Sequence, residues 1–210
     1  MIRTLAVLLL AAAAGCSTPP TYYTTLSTQV ISLQAGELES GGLAFITPST
    51  VTGQEQEKQT VALAYADVLK RERPKLPVVS LAQTLSAVNK AKLVESYRRM
   101  YDDYRDTALF PADVLKRVSE ATGARYLAQL KLQGFKQDSK GRFGIFGFRI
   151  SETVIGDVRI YLQIWDARDG SIAWEGTQEL RIATDSTTQE PVSLRDLVER
   201  SAQDLFAKLP

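Results

Sequence analysis

Val158-Arg159-Ile160-Tyr161-Leu162-Gln163-Ile164-Trp165-Asp166-Ala167-Arg168-Asp169-Gly170-Ser171-Ile172-Ala173-Trp174 is the stretch on which the fold turns. Val158, Ile160, Leu162 and Ile164 fall on every second residue, the period of a strand with one buried face. Asp166 to Gly170 then supplies turn chemistry, and apolar residues resume from Ile172 to Ile182. The two runs predict a hairpin with glycine at its turn. Upstream, Tyr126, Ala128, Leu130 and Leu132 alternate with Gln129, Lys131 and Gln133, which predicts a third strand within Ala124 to Phe135. Three antiparallel strands in succession form a meander.

Helical spacing surrounds this meander. Leu194, Leu197, Val198, Ala202, Leu205 and Phe206 share one face of a helix from about Ser193 to Leu209. Pro111 to Thr122 reads as a helix that starts at proline and stops at Gly123, where a left-handed residue is expected. Ser80 is placed to cap one long helix through about Tyr104, with Leu81, Leu85, Val88, Leu93, Tyr97, Met100 and Tyr104 on one face and Lys90, Lys92, Glu95, Arg98 and Asp102 on the other. Val61, Ala64, Tyr65, Val68 and Leu69 predict a helix from about Gln54 to Arg71, closed by Pro74 and Pro77. Leu43 to Ile46 is a short apolar run stopped at Thr47-Pro48, and Leu76 to Val79 is a second such run. The expected class is α+β, a mixed sheet with a C-terminal antiparallel three-strand meander packed against about four helices.

Two stretches carry a family resemblance. Ser119-Glu120-Ala121-Thr122-Gly123-Ala124-Arg125-Tyr126-Leu127 is similar to a helix, glycine, strand entry, and Trp165 to Trp174 resembles a "W-D-A-x-x-G-x-x-x-W" hairpin. Both belong to the periplasmic domain shared by the curli secretion lipoprotein, the amino-terminal domain of the Tol-Pal translocation protein and the outer-membrane activators of penicillin-binding proteins. The resemblance spans roughly residues 43 to 209 as topology, and its specific residues are mainly structural. It implies a periplasmic domain attached to the outer membrane. One fold hosts many functions, so it does not decide among them.

The amino terminus points to the same compartment. Arg3, an apolar run from Leu5 to Ala14, and small residues up to Gly15-Cys16 form the layout of an export signal. Its apolar run of about ten residues is too short for a bilayer core that needs roughly 20. Ala13-Ala14-Gly15-Cys16 resembles the bacterial lipobox, with Ala13 where leucine is usual. That resemblance implies cleavage before Cys16, acyl chains such as palmitate on Cys16, and, with Ser17 next, sorting to the outer membrane. Cys16 is the only cysteine, so no disulfide within one molecule competes for it. The expected organisation is a signal peptide over 1–15, a lipid-anchored tether over 16–42 and a periplasmic α+β domain over 43–210. The tether reading rests on the Thr, Ser, Gln and Gly content of 17–42 and on Pro19-Pro20.

Removal of residues 1–15 takes away Arg3 from 25 basic residues, leaving 24 against 24 acidic ones. A neutral chain gives no electrostatic footprint for nucleic acid. With no histidine and its one cysteine assigned to lipid, the chain lacks the usual general base and thiol nucleophile. No phosphate loop, nucleophile elbow or metal-spaced cluster stands in the sequence. No catalytic residue, metal ligand or cofactor is therefore expected. Asp102/Asp103 read as a solvated helix face, and Asp166/Asp169 as side chains that bond turn backbone.

Gly141-Arg142-Phe143-Gly144-Ile145-Phe146-Gly147-Phe148-Arg149 is the unusual stretch. Phe143, Ile145, Phe146 and Phe148, flanked by Arg142 and Arg149, admit two readings: a hairpin folded back over the core, or an exposed tip that contacts a partner or the membrane. Tyr97, Tyr101 and Tyr104 form a second surface of interest, read first as helix packing. Together these features describe a non-enzymatic adaptor or assembly factor, held at the periplasmic face of the outer membrane by lipid on Cys16 and bound to an envelope protein or to copies of itself. The alternative is a homo-oligomeric secretion or pore component using a hairpin at about 136–156, the region long enough for membrane-crossing strands of 9 to 11 residues. An envelope enzyme is a third.

Overall fold

The computed structural model describes residues 20–50, 55–145, 148–186 and 192–210; for 139–145, 148–152, 185 and 186 it describes the backbone alone. Strands β1 (Thr21–Val30), β2 (Leu43–Phe45), β3 (Ser49–Thr50), β4 (Val78–Val79), β5 (Tyr126–Ile145), β6 (Phe148–Asp166) and β7 (Ser171–Ser186) form one sheet in the order β1-β7-β6-β5-β2-β4, with β3 beside β5. β5, β6, β7 and β1 pair antiparallel, whereas β2 lies parallel to both β4 and β5. The sheet is mixed and ends in the expected meander. Gly170 takes φ 80° at the β6–β7 turn, a conformation that glycine adopts without steric cost.

Helices cover both faces. On one side α2 (Glu55–Glu72) and α6 (Leu194–Phe206) pack against Leu130, Ile160, Leu162, Trp174 and Leu180 of the sheet. On the other, α3 (Leu81–Lys90), α4 (Val94–Thr107) and α5 (Ala112–Thr122) bury Val88, Met100 and Leu115 against Ala44, Leu127 and Trp165. The alternation of β6 explains the two cores, because Ile160, Leu162 and Ile164 point to one face and Trp165 enters the other across a register shift. Ser80 and Ser193 each form a capping box, with the side chains of Gln83 and Asp196 returning to the cap backbone. Each box satisfies otherwise orphaned N–H groups of the first turn.

Three sequence expectations need correction. The helix expected to run unbroken from Ser80 to Tyr104 is two helices. Lys92 adopts φ 56°; the Leu93 N–H donates to the Val88 carbonyl at 3.0 Å and the Lys92 N–H to that of Asn89 at 3.1 Å. These bonds make a Schellman stop in which the buried pair Val88 and Leu93 supplies the apolar contact and lysine stands where glycine is usual. Among the described residues, five helices therefore cover the sheet faces.

Second, the stretch assigned to a tether belongs to the domain over residues 21–42. β1 pairs with β7 without a bulge from Thr21↔Ala183 to Val30↔Trp174. Leu33 and Leu38, the latter in α1 (Glu37–Gly41), are buried in the larger core. β1 escaped detection because it is an edge strand with thin cover: nine of its ten residues are exposed and Leu26 alone packs half-buried against the larger core, so no alternation marks it. Third, β5, β6 and β7 outrun the apolar segments that revealed them, reaching 20, 19 and 16 residues.

Candidate functional site

The long strands build an arm. β7 pairs with β6 as far as Ser186↔Glu152, beyond which β5 and β6 continue as a two-stranded ribbon to Ile145↔Phe148. Val154 is a buried core residue near the root of this ribbon, where Val192 and Leu197 crowd Gly156. Phe148 lies six residues farther along the strand, about 20 Å at 3.3 Å per residue.

Of the residues singled out in the sequence, Arg142, Phe143, Ile145, Phe148 and Arg149 thus belong to one ribbon end. Its backbone pairs Phe143 with Ser151, Gly144 with Arg149 and Ile145 with Phe148, with register shifts on either side of Phe143. The shifts fall in the Gly141 to Gly144 segment, where bulges re-aim a strand. Phe146 and Cys16 lie outside the described residues.

Beside the arm, the described residues leave one face of the four-stranded β1-β7-β6-β5 sheet open, because α3–α5 cover only the end that carries Leu127 and Trp165. Cross-strand ion pairs occupy it: Arg159 with Glu179 at 2.6 Å and Arg181 with Asp157 at 2.5 Å. Tyr23, Thr25 and Lys136 flank these pairs and are exposed. Nearer the helices, the Tyr161 hydroxyl donates to Glu175, Gln163 donates to Tyr161 at 3.0 Å, and the Tyr104 hydroxyl donates to Gln163 at 3.3 Å. Burial, then the hydrogen bond and charge of Glu175, push the Tyr161 phenol well above the usual tyrosine value, so it stays protonated. Hydrogen-bonded phenols, amides and matched charges can recognise a polar surface. They offer no activated nucleophile or base.

The remaining candidates serve structure. Tyr97 and Tyr101 clasp Thr47, whose N–H donates to the Tyr97 hydroxyl at 2.9 Å and whose carbonyl accepts from Tyr101 at 2.8 Å. Tyr104 stacks on Phe110, ring centroids 4.3 Å apart, and Phe110 meets Trp165 edge-on. Asp102 pairs with Arg98 and Arg105 on an exposed helix face. Asp166 accepts the Arg168 N–H at 3.0 Å and Asp169 accepts the Ser171 N–H at 2.9 Å, the expected turn bonds. Among the described residues, no group of three His, Cys, Asp or Glu could hold a metal ion, and no helix is long and apolar enough to cross a membrane.

Sequence reading missed β1 as the border of the open face. Its signal was composition, Thr21-Tyr22-Tyr23-Thr24-Thr25 being rich in strand formers.

No family model and no curated protein matches the chain. Several solved structures are similar to the chain at low identity. The PelC dodecamer from Paraburkholderia phytofirmans is 13% identical, with a TM-score of 0.40 over 91% of this chain and 94% of that one. The lipoprotein GNA1162 from Neisseria meningitidis is 12% identical, with a TM-score of 0.39 over 79% and 98%. The LpoB C-terminal domain from Escherichia coli is 15% identical, with a TM-score of 0.37 over 66% and 82%.

Proposed function

We propose that this protein is a non-enzymatic lipoprotein, anchored by acyl chains on Cys16 at the periplasmic face of the outer membrane, that docks an envelope protein and holds it there. The open face of the β1-β7-β6-β5 sheet carries this reading. It presents exposed Tyr23, Lys136, Arg159 and Arg181 on a rigid four-stranded platform, and aromatic and arginine side chains contribute most contact energy at interfaces. Its phenols, amides and paired charges match a polar partner surface.

The pore alternative has strands of sufficient length in β5 and β6. A transmembrane strand also needs an apolar residue at every second position toward lipid. Lys136-Gln137-Asp138-Ser139-Lys140-Gly141-Arg142 has no apolar side chain to turn outward, so the adaptor is the better supported reading.

Photo-crosslinkers at Arg159 and Arg181, compared with one at Gln83 on α3, test the platform in cells. One envelope protein should be captured from the first two positions and not from the third, and Arg159→Ala/Arg181→Ala should abolish capture while lowering the melting temperature by no more than about 4 °C, since the two exposed pairs together contribute about 1 kcal/mol. Equal capture from all three positions sinks the reading. Cys16→Ala should leave the membrane fraction or remain uncleaved.

A further inference from the structure

We propose that the end of the β5–β6 ribbon, residues 142–145 and 148–149, is a second membrane contact that rests among lipid headgroups near the acylated Cys16. The inference deepens the lipoprotein reading and rests on it. The registers of four strands place the ribbon end and Thr21, five residues after Cys16, at the same end of the sheet. Thr21 lies opposite Ala183, Ala183 opposite Ile155, and Ile155 opposite Asp138, so the start of β1 is level with the root of the arm. From that level β5 runs on to Ile145 and β6 begins at Phe148, seven residues along each strand and about 23 Å. Cys16 precedes Thr21 by five residues, which can span at most about 18 Å. A chain held in the headgroup layer at Cys16 thus keeps Thr21 within the distance that the arm covers. β1 runs away from that end, and the β6–β7 turn at Asp169 lies at the opposite one.

The ribbon end has the chemistry of that layer. From Ser139 to Ser151 the chain carries Lys140, Arg142 and Arg149 and no acidic residue, although the chain without its signal segment is balanced. Phe143, Ile145 and Phe148 stand between the two arginines. Aromatic residues settle at the membrane interface, and clustered cations are drawn to anionic headgroups. Residues 136–142 lack an apolar side chain, which limits the contact to the surface.

Two arms test this and separate it from lipidation. In the first, the lipidated chain with Ile145→Cys, or with Asp169→Cys as the distal control, carries a fluorophore on that thiol in vesicles of phosphatidylethanolamine and phosphatidylglycerol. The label at 145 should be quenched by brominated lipid at least about fivefold more than the label at 169, and shielded from iodide; equal iodide access at both positions overturns the proposal. In the second, the Cys16→Ala chain without residues 1–15 should float with phosphatidylglycerol vesicles at low salt, and Phe143→Ser/Ile145→Ser/Phe148→Ser should reduce flotation at least fivefold with an unchanged melting temperature. Flotation indifferent to the three serines, or absent with both chains, overturns it, as does a lowered melting temperature, which would place the ribbon end on the body. Whether Cys16 carries lipid is read separately from the mass of the purified chain, so an unacylated Cys16 removes the anchor while the flotation arm still decides the contact.

Discussion

Arg125 grips Asp166 across the β5–β6 ladder, donating from Nη2 at 2.6 Å and from Nε to both carboxylate oxygens at 3.1 and 3.2 Å. Its Nη1 reaches Glu37 of α1 at 3.1 Å, so one guanidinium ties the N-terminal segment to the meander turn. Burial raises the Asp166 carboxyl pKa, but the hydrogen bonds from Arg125 and Arg168 outweigh it and hold the group at about 2. A folded value below the unfolded one stabilises the protein above pH about 4, and the stabilisation fades as pH falls through about 2. It amounts to about 2 kcal/mol. Denaturant melts from pH 6 to pH 2 should show this loss in the wild type and a flatter acid limb in Asp166→Asn. Arg125→Ala should cost about 3 kcal/mol at neutral pH, because it strips the main partner from a carboxylate whose side chain is 5% exposed.

Gly176 has no room for a side chain. A Cβ there would stand 2.5 Å from Trp174 Cη2 and 2.7 Å from Leu205 Cδ2, and both neighbours are fully buried. Gly176→Ala should destabilise the fold by about 2 kcal/mol. At Gly134 a Cβ would meet nothing within 4 Å, so Gly134→Ala should change stability by no more than about 0.5 kcal/mol. Equal effects in thermal melts would contradict the close packing of α6 on β7.

Lys92 holds a left-handed conformation that costs a residue with a Cβ about 1 kcal/mol. Lys92→Gly should relieve the strain, less the greater freedom that glycine adds to the unfolded chain, for a net gain of about 0.5 kcal/mol and about 1 to 2 °C in melting temperature. Lys92→Val should lower it, because a branched Cβ tolerates this conformation least.

β1 should count as structure in a truncation series. Removal of residues up to Ser32 deletes the ladder to β7 and the bond from Gln178 to the Thr24 hydroxyl at 2.9 Å. The shortened chain should lose about 2 kcal/mol or more, and its bared β7 edge should promote larger assemblies in size-exclusion chromatography. A start at Pro20 should change neither property. An unaltered melting temperature in the shorter chain would return residues 21–30 to the role of a tether.

The legible parts of the fold were those whose signals are local. Strand alternation in Val158 to Ile164, a serine followed three residues later by Gln83 or Asp196, and Gly123 after a helix each act within a few residues, and each element formed where the pattern stood. Signals failed where a residue departed from the usual type or lacked a covering layer. Lys92 ends α3 in a glycine's place, and β1 is an edge strand with nine of its ten residues exposed. The Gly141 to Arg149 stretch was visible as chemistry, but its sequence did not say how far from the core it would stand.

By itself, then, the sequence determined the meander, its helical partners and the chemistry of the ribbon end, because propensity, periodicity and composition belong to the chain. Tertiary structure alone decided that Arg125 would meet both Asp166 and Glu37, that Tyr97 and Tyr101 would clasp Thr47, and that Thr21 would lie level with the root of the arm. Those relations depend on register between strands far apart in sequence. Register emerges only when the helices bury both faces and one pairing satisfies the backbone and the two cores together.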